Sequence, residues 1–286
     1  MCLNDQQVER FWIDGYLALE GVLQQAVIDA AIADLERETD RRAAALAAKG
    51  LISDLCSDAS FLQRYALLFA QCDQIGQRLE VFELLGPGIF ELLWEDTILD
   101  HVESLLGTEI MLNPTHHLRA KLPASLLRDL DLPDRDTVPW HQDTFAAPGA
   151  EPFGMVTVWV PLVDATPQNG CLEVMPRTFK MGALAHRTTD GGTIEEHARF
   201  SVAPQALPCA RGGIVLLHEY TLHRSTPNLE RTIRWSIDMR FQRAGSPTGR
   251  PGLPAFWVRS RQRPWMVRKD YCDWCMQWRA ALELDG

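Results

Sequence analysis

From Thr232 to Gln242 the chain alternates without a break, with Ile233, Trp235, Ile237, Met239 and Phe241 in one register and Arg234, Ser236, Asp238 and Arg240 in the other. Successive side chains of a strand point to opposite faces. The run is therefore a strand with one apolar face, and no helix tolerates a period of two over such a length. The apolar face demands a covering layer. The polar face either meets solvent or lines a polar pocket, and this choice governs what the fold is for.

The chain on either side has two textures. Residues 1–110 are mainly helical by pattern. Asn4 or Asp5 caps a helix through Trp12, with Val8, Phe11 and Trp12 on one face and Gly15 at its end. Tyr16–Leu19 is a short strand candidate. From Gln24 to Ala48, Val27, Ile28, Ala31, Ile32 and Leu35 recur at three and four, and Gly50 stops the helix. Residues 60–80 and 89–106 read as two further helices, the latter ending at Gly107. After Pro114 the segments shorten. Met155–Val160 is rich in β formers, Asn169-Gly170 marks a tight turn before a strand at Cys171–Met175, and Gly212-Gly213 leads into Ile214–Leu217. Residues 244–263, rich in Pro, Gly and Arg, read as a long loop, and the tail from Asp270 as a helix. Helices followed by many short strands give an α+β fold: a double-stranded β-helix (jelly-roll, cupin-like) core at 111–243 with N-terminal and flanking helices. No linker separates the parts, so 1–286 is expected to be one domain.

Composition excludes several classes. A net charge of −10 does not suit a general nucleic-acid binder, although a local basic pocket is compatible with it. No run of apolar residues is long enough to span a membrane. The first residues show no signal peptide, so a cytoplasmic protein that meets small molecules is expected, with its oligomeric state open. Seven cysteines, odd in number and loosely spaced, do not make a disulfide framework. Cys272 and Cys275 form a CxxC with no matching ligand pair, on a segment whose Trp274 and Trp278 read as core at helical spacing.

The chemistry concentrates in Val138-Pro139-Trp140-His141-Gln142-Asp143-Thr144. A histidine and a carboxylate two residues apart on an extended segment face the same side. A third ligand would complete a facial triad of two histidines and one carboxylate, a set suited to non-haem Fe(II) with open positions. Both His218 and His223 follow the strand at Ile214–Leu217. His223 is the better ligand, because it leads Ser225, Pro227 and Asn228, with Arg234 eleven residues on. His218 is a second-layer donor or a packing residue. Arg234 is placed to fork onto a carboxylate, with Ser225 as a further donor.

These runs, together with Val158-Trp159-Val160-Pro161-Leu162-Val163-Asp164, Asn169-Gly170-Cys171-Leu172-Glu173-Val174-Met175-Pro176 and the opening Phe11-Trp12-Ile13-Asp14-Gly15-Tyr16-Leu17, resemble the phytanoyl-CoA dioxygenase family of Fe(II)/2-oxoglutarate-dependent oxygenases. The resemblance implies that His141, Asp143 and His223 bind iron. It implies that Arg234 and Ser225 hold the distal carboxylate of 2-oxoglutarate and that Trp159 lines that pocket. Lys121 matches a family Lys-Pro segment, and His117 and Arg119 stand beside it facing cosubstrate or substrate. Cofactors would be Fe(II), 2-oxoglutarate and O2, and the reaction hydroxylation of a small, secondary-metabolite-like substrate with release of succinate and CO2. Desaturation, epoxidation, rearrangement and acyl-CoA hydroxylation are alternatives on the same cofactors; Asp143 argues against halogenation. A cupin-like metal protein without 2-oxoglutarate, and a non-catalytic binding protein, are the rival classes. The sequence departs from the family at Pro176-Arg177-Thr178-Phe179, where Pro-Gly-Ser-His is usual. The stretch 124–138 is longer than usual and is either a lid or a surface loop. Arg250, Arg259, Arg261, Arg263 and Arg268 serve an anionic substrate or solvate a loop.

Overall fold

The computed structural model describes residues 2–143 except 78, 134 and 137, then 154–185, 194 and 202–284. Thr144 and the rest of 144–153 lie outside the described residues.

The first helix, α1 (Asp5–Asp14), starts in a capping box: Asn4 accepts from the Gln7 backbone N–H, and Gln7 accepts from that of Asn4. It ends at Gly15, φ 84°, where a Cβ would also lie 2.5 Å from both Phe179 and Thr221. That position admits only glycine. Strand β1 (Tyr16–Leu19) follows, then α2 (Gln25–Ala48), which buries Ile28, Ala31 and Leu35. Next come α3 (Phe61–Gln71), α4 (Val81–Leu84), α5 (Pro87–Leu93) and α6 (Asp96–Leu106). The helix expected over 60–80 thus stops at Gln71 and gives way to a 3-10 turn at Asp73–Gly76. The helix expected over 89–106 is two helices. Trp94 ends α5, and Glu95 caps α6 by accepting from the Thr97 N–H.

Then follow β2 (Glu109–Leu112), β3 (His117–Lys121), α7 (Ala124–Asp129), β4 (Val138–His141), β5 (Met155–Pro161), β6 (Leu172–Val174), β7 (Gln205–Leu207), β8 (Ile214–His218), β9 (His223–Ser225), β10 (Arg234–Arg243), β11 (Phe256–Ser260) and α8 (Tyr271–Leu284). The larger sheet runs β1-β8-β5-β10-β2-β11, with β3 also on β10; the smaller runs β4-β9-β6-β7. All the pairings are antiparallel. This is the expected α+β architecture, a double-stranded β-helix with helices on the outer face of the larger sheet.

The expected bounds of the strand region, 111–243, are too narrow. Strand β1 lies far upstream, and β11 lies within the segment read as a loop at 244–263. In β11, Phe256, Val258 and Ser260 are buried while Trp257 and Arg259 are half-buried. The pattern is a period of two, obscured in the sequence by the surrounding arginines. Two of those arginines are structural: Arg259 pairs with Asp96, Asp100 and Glu103, and Arg261 with Glu103, fastening β11 and the residue after it to α6. All seven cysteines are free thiols, Cys275 buried and Cys272 exposed, and Trp274 and Trp278 are core as expected. No helix among the described residues is long and apolar enough to cross a membrane.

Strand β10 separates two environments. Its outer side chains Trp235, Ile237, Met239 and Phe241 join one apolar cluster with residues of α1, α2, α3, α5, α6 and α8. Trp235 stacks on Phe61 at 5.7 Å and meets Tyr65 edge-on at 5.1 Å. Its inner side chains Arg234, Ser236, Asp238 and Arg240 are buried too. The polar register therefore does not meet solvent; it lines the interior between the sheets. Replacing Trp235 by Ala should lower unfolding free energy by about 3–5 kcal/mol, visible as a lower urea midpoint at unchanged denaturant slope.

Candidate metal and anion site

His141 and His223 face each other across the β4–β9 pairing, with ring centroids 4.2 Å apart. Asp143 follows two residues after His141, where its backbone N–H donates to the Glu219 carbonyl at 3.0 Å. Gln142, fully buried between the two ligands, ties this turn down. Its amide donates to the Gly182 and Tyr220 carbonyls and accepts from the Leu184 N–H. The three side chains converge: His141 Nε2 lies 3.9 Å from Asp143 Oδ1, and His223 Nε2 lies 3.8 Å from Asp143 Oδ2. All three ligand atoms stand within 4.8 Å of one another.

The arrangement fits a divalent ion chemically as well as spatially. The His141 Nδ1–H donates to the Pro139 carbonyl at 2.9 Å, and that of His223 to the Thr221 carbonyl at 3.0 Å. Each ring thereby turns its Nε2 lone pair to the centre. Burial, and then the neighbouring His223, push His141 down to about 3, so it stands neutral and ready to ligate. Burial alone would raise the Asp143 carboxyl. The Arg240 guanidinium and the two imidazoles override it and hold Asp143 well below the usual carboxylate range.

Asp143 is also positioned from the larger sheet. Arg240 donates to Oδ1 at 2.5 Å and Thr157 to Oδ2 at 2.5 Å. Arg240 in turn holds Asp238 at 2.6 Å. Neither partner of Asp143 was foreseen. Two signals were present: Thr157 is the polar residue in the β run 155–160 in register with Trp159, and Arg240 shares the face of Arg234.

A second group gathers on the cavity that His141 and His223 border. Lys121 and Arg234 are register partners on β3 and β10. Lys121 donates to Ser225 Oγ at 2.8 Å and to the Asp136 carbonyl at 2.8 Å. Arg234 lies 5.3 Å over the Trp159 ring and donates to Ser236. Arg234 is 1% exposed, its Nε has no hydrogen-bond partner, and among the described residues it makes no ion pair. Burial, and then the charge of Arg119, lower it to about 10. Burial, and then Arg234, bring Lys121 down to about 7. A buried guanidinium without a counter-ion is costly, and this pocket is one an anion would complete.

The other candidates fall into place around these clusters. His218 is a packing residue among Phe11, Trp12, Phe179 and Tyr220, and its Nδ1 accepts from the Tyr220 N–H. His117 turns to Glu80 at 3.4 Å, while Arg119 borders the cavity at the triad. At Pro176-Arg177-Thr178-Phe179, Arg177 takes φ 68° and the turn packs on α1, with the Arg177 N–H donating to the Asp14 carbonyl. None of these four residues borders that cavity. The stretch 124–138 carries α7 and reaches the anion cluster through Asp136.

Known proteins resemble this chain in sequence and in fold. The sequence profile of the phytanoyl-CoA dioxygenase (PhyH) family matches residues 90–235, half of the chain. The 1-deoxypentalenic acid 11-beta-hydroxylase of Streptomyces arenae is 28% identical over 123 residues, 39% of this chain and 43% of that protein. The phytanoyl-CoA dioxygenase domain-containing protein 1 of Rattus norvegicus is 31% identical over 122 residues, 39% of this chain and 41% of that one. The chain thus spans less than half the length of the curated relatives it matches. Among solved structures, the non-heme alpha ketoglutarate dependent epimerase SnoN from nogalamycin biosynthesis superposes with a TM-score of 0.59 at 19% identity, covering 86% of this chain and 87% of that one. The carbocyclase SnoK from the same biosynthesis gives 0.57 at 15%, covering 91% and 88%. At these identities the likeness is one of fold.

Thr157 can be removed without changing volume. Thr157→Val should weaken Fe(II) or Ni(II) binding about tenfold by freeing one oxygen of Asp143, measured by calorimetric titration of the metal-free protein, with the thermal midpoint little changed.

Proposed function

Because the chain belongs to the phytanoyl-CoA dioxygenase family, we propose that it is an Fe(II)- and 2-oxoglutarate-dependent dioxygenase that hydroxylates a small, secondary-metabolite-like molecule. Residues 1–286 would act as one domain, since helices and larger sheet share one apolar cluster. The observation that carries the reading is Arg234, a buried cation without a counter-ion among the described residues, on the same cavity as His141 and His223 of the converging triad. A metal protein with no keto-acid cosubstrate has no use for it. The hydroxylase named among the relatives supports the outcome chosen here.

His141, Asp143 and His223 would hold the iron on one side and leave its remaining positions open. When bound, ferrous iron with 2-oxoglutarate and dioxygen supplies the oxidising power for hydroxylation, and the cosubstrate leaves as succinate and CO2. The protein's part is orientation and dryness. Arg240 and Thr157 each donate to one oxygen of Asp143 and so fix the plane of its carboxylate. Arg234, Ser225 and Lys121 would take the distal carboxylate of 2-oxoglutarate, against Trp159. Leu172, Leu217 and Val138 border the same space and limit water.

Anaerobic mixing with Fe(II) and 2-oxoglutarate should produce a weak visible charge-transfer band, and admitting oxygen should yield succinate. Neither result appearing would end the assignment. Arg234→Met should raise the 2-oxoglutarate Kd about 100-fold while metal affinity holds, read by titration of the band.

Lys121 gives the site a pH dependence. With its folded value at about 7, it is mostly neutral at pH 8 in the cosubstrate-free protein. A carboxylate arriving beside it favours the ammonium and raises that value again. Binding therefore takes up a proton above about pH 7, and affinity falls as pH rises through that window. Calorimetry at pH 8 in buffers of different ionisation enthalpy should show an uptake of about half to one proton, lost in Lys121→Met.

A further inference from the structure

A second cavity, of about 330 Å³, opens between β3, α3 and the residues around Gly76 and Glu80. It shares Arg119, Val138, Ser225 and Arg234 with the space at the triad, so the two cavities adjoin at these side chains. Its size is that of a small-molecule pocket. Tyr65, Phe69, Leu79 and Val138 give it one apolar side, while the rest of its lining is charged and polar.

Its cations differ in how they are engaged. Arg135 pairs with Asp73 at 3.0 Å and lies 5.0 Å over the Phe69 ring. Lys121 is committed to Ser225 and the Asp136 carbonyl, and both it and Arg234 belong to the proposed cosubstrate cluster. Arg119 is different. Its Nε lies 3.5 Å from Asp238 Oδ2, and Asp238 already receives Arg240 at 2.6 Å on its other oxygen. Among the described residues the terminal nitrogens of Arg119 make no hydrogen bond, and its side chain is 40% exposed in the cavity it borders. The planar fork that recognises a carboxylate is thus open. Glu80, which turns one oxygen to His117 at 3.4 Å, and Asp136, whose Oδ2 accepts from the Leu122 N–H at 2.7 Å, bring two carboxyl groups to the same cavity and disfavour a multiply charged ligand.

We infer that the substrate is an organic monocarboxylate, its anion gripped by Arg119 where the two cavities join and its apolar body lying against Tyr65, Phe69, Leu79 and Val138. This rests on the reading of the site as a 2-oxoglutarate oxygenase. Arg119 then fixes which part of the substrate reaches the triad and selects acids over their neutral derivatives. The pairing of β3 with β10, Arg119 opposite Ser236 and Lys121 opposite Arg234, sets the two anion sites side by side without sharing a cation.

The test uses protein loaded with redox-inert Ni(II) and saturating 2-oxoglutarate, so that the distal-carboxylate cluster is filled. Naphthoate and cyclohexanecarboxylate are titrated beside their methyl esters by ligand-observed NMR. Each acid should bind about tenfold or more tighter than its ester. Arg119→Met should erase that preference with 2-oxoglutarate affinity held, and Arg119→Lys should keep part of it. Equal binding of acid and ester by the wild type, or binding of neither, would overturn the inference with no variant needed. So would a preference that survives in Arg119→Met, or a loss of 2-oxoglutarate affinity in that variant, which would make Arg119 a cosubstrate ligand. Failure of the wild type to bind 2-oxoglutarate would strike the parent reading instead, and is separately visible.

Discussion

The carboxylate of Asp143 is where the two sheets meet chemically. The smaller sheet brings His141 and His223 to it, and the larger sheet brings Thr157 and Arg240. A fully buried carboxylate is expensive unless every lone pair finds a partner and a positive charge stands by. Arg240 supplies that charge, and Asp238 behind it balances the excess. The chain Asp143–Arg240–Asp238–Arg119 is therefore a run of alternating charge along one sheet face. Removing Asp143, Arg240 or Asp238, all buried, leaves a neighbour in a medium that cannot solvate it; Arg119, at the exposed end of the run, is the member that can be spared. The geometry of the triad is in this sense tied to a charge network that spans both sheets.

That network exists because β10 keeps its two faces apart. Trp235 and its apolar partners bind the strand to the helical layer, while Arg234, Ser236, Asp238 and Arg240 look the other way. Rigidity on one side transmits to the other, since a strand cannot shift its inner residues without shifting the outer ones. The register of β3 against β10 then decides which cation serves which purpose. Lys121 stands by Arg234 and Arg119 by Ser236. A slip of one residue would put the two basic side chains outside.

Much of this was legible in the residues. The alternation at 232–242, the HxD run and the His223–Asn228 segment lie within short windows whose spacing is itself the geometry, so the strand, the triad and the neighbourhood of Arg234 follow directly. What escaped reading was non-local. Nothing near Asp143 in sequence announces Arg240 or Thr157, which reach it across a sheet pairing. Strand β11 hides its period under arginines that answer to acids on α6, far up the chain. The break between α5 and α6 turns on one local bond, Glu95 to Thr97, which apolar periodicity does not register. The choice between a solvated and a lining face for Arg234 depended on whether a second sheet covers it, and no local pattern encodes that.

The donor set of this centre carries a liability. Two imidazoles and a carboxylate rank divalent ions by the Irving–Williams order, in which cobalt, nickel and copper all outbid ferrous iron. A donor set of two imidazoles and one carboxylate has little means in itself of turning those competitors away. Which ion occupies the centre is then settled by cellular supply at the moment of loading. Protein isolated from an overproducing host should be stripped with a chelator and reconstituted under reducing conditions before its turnover is judged.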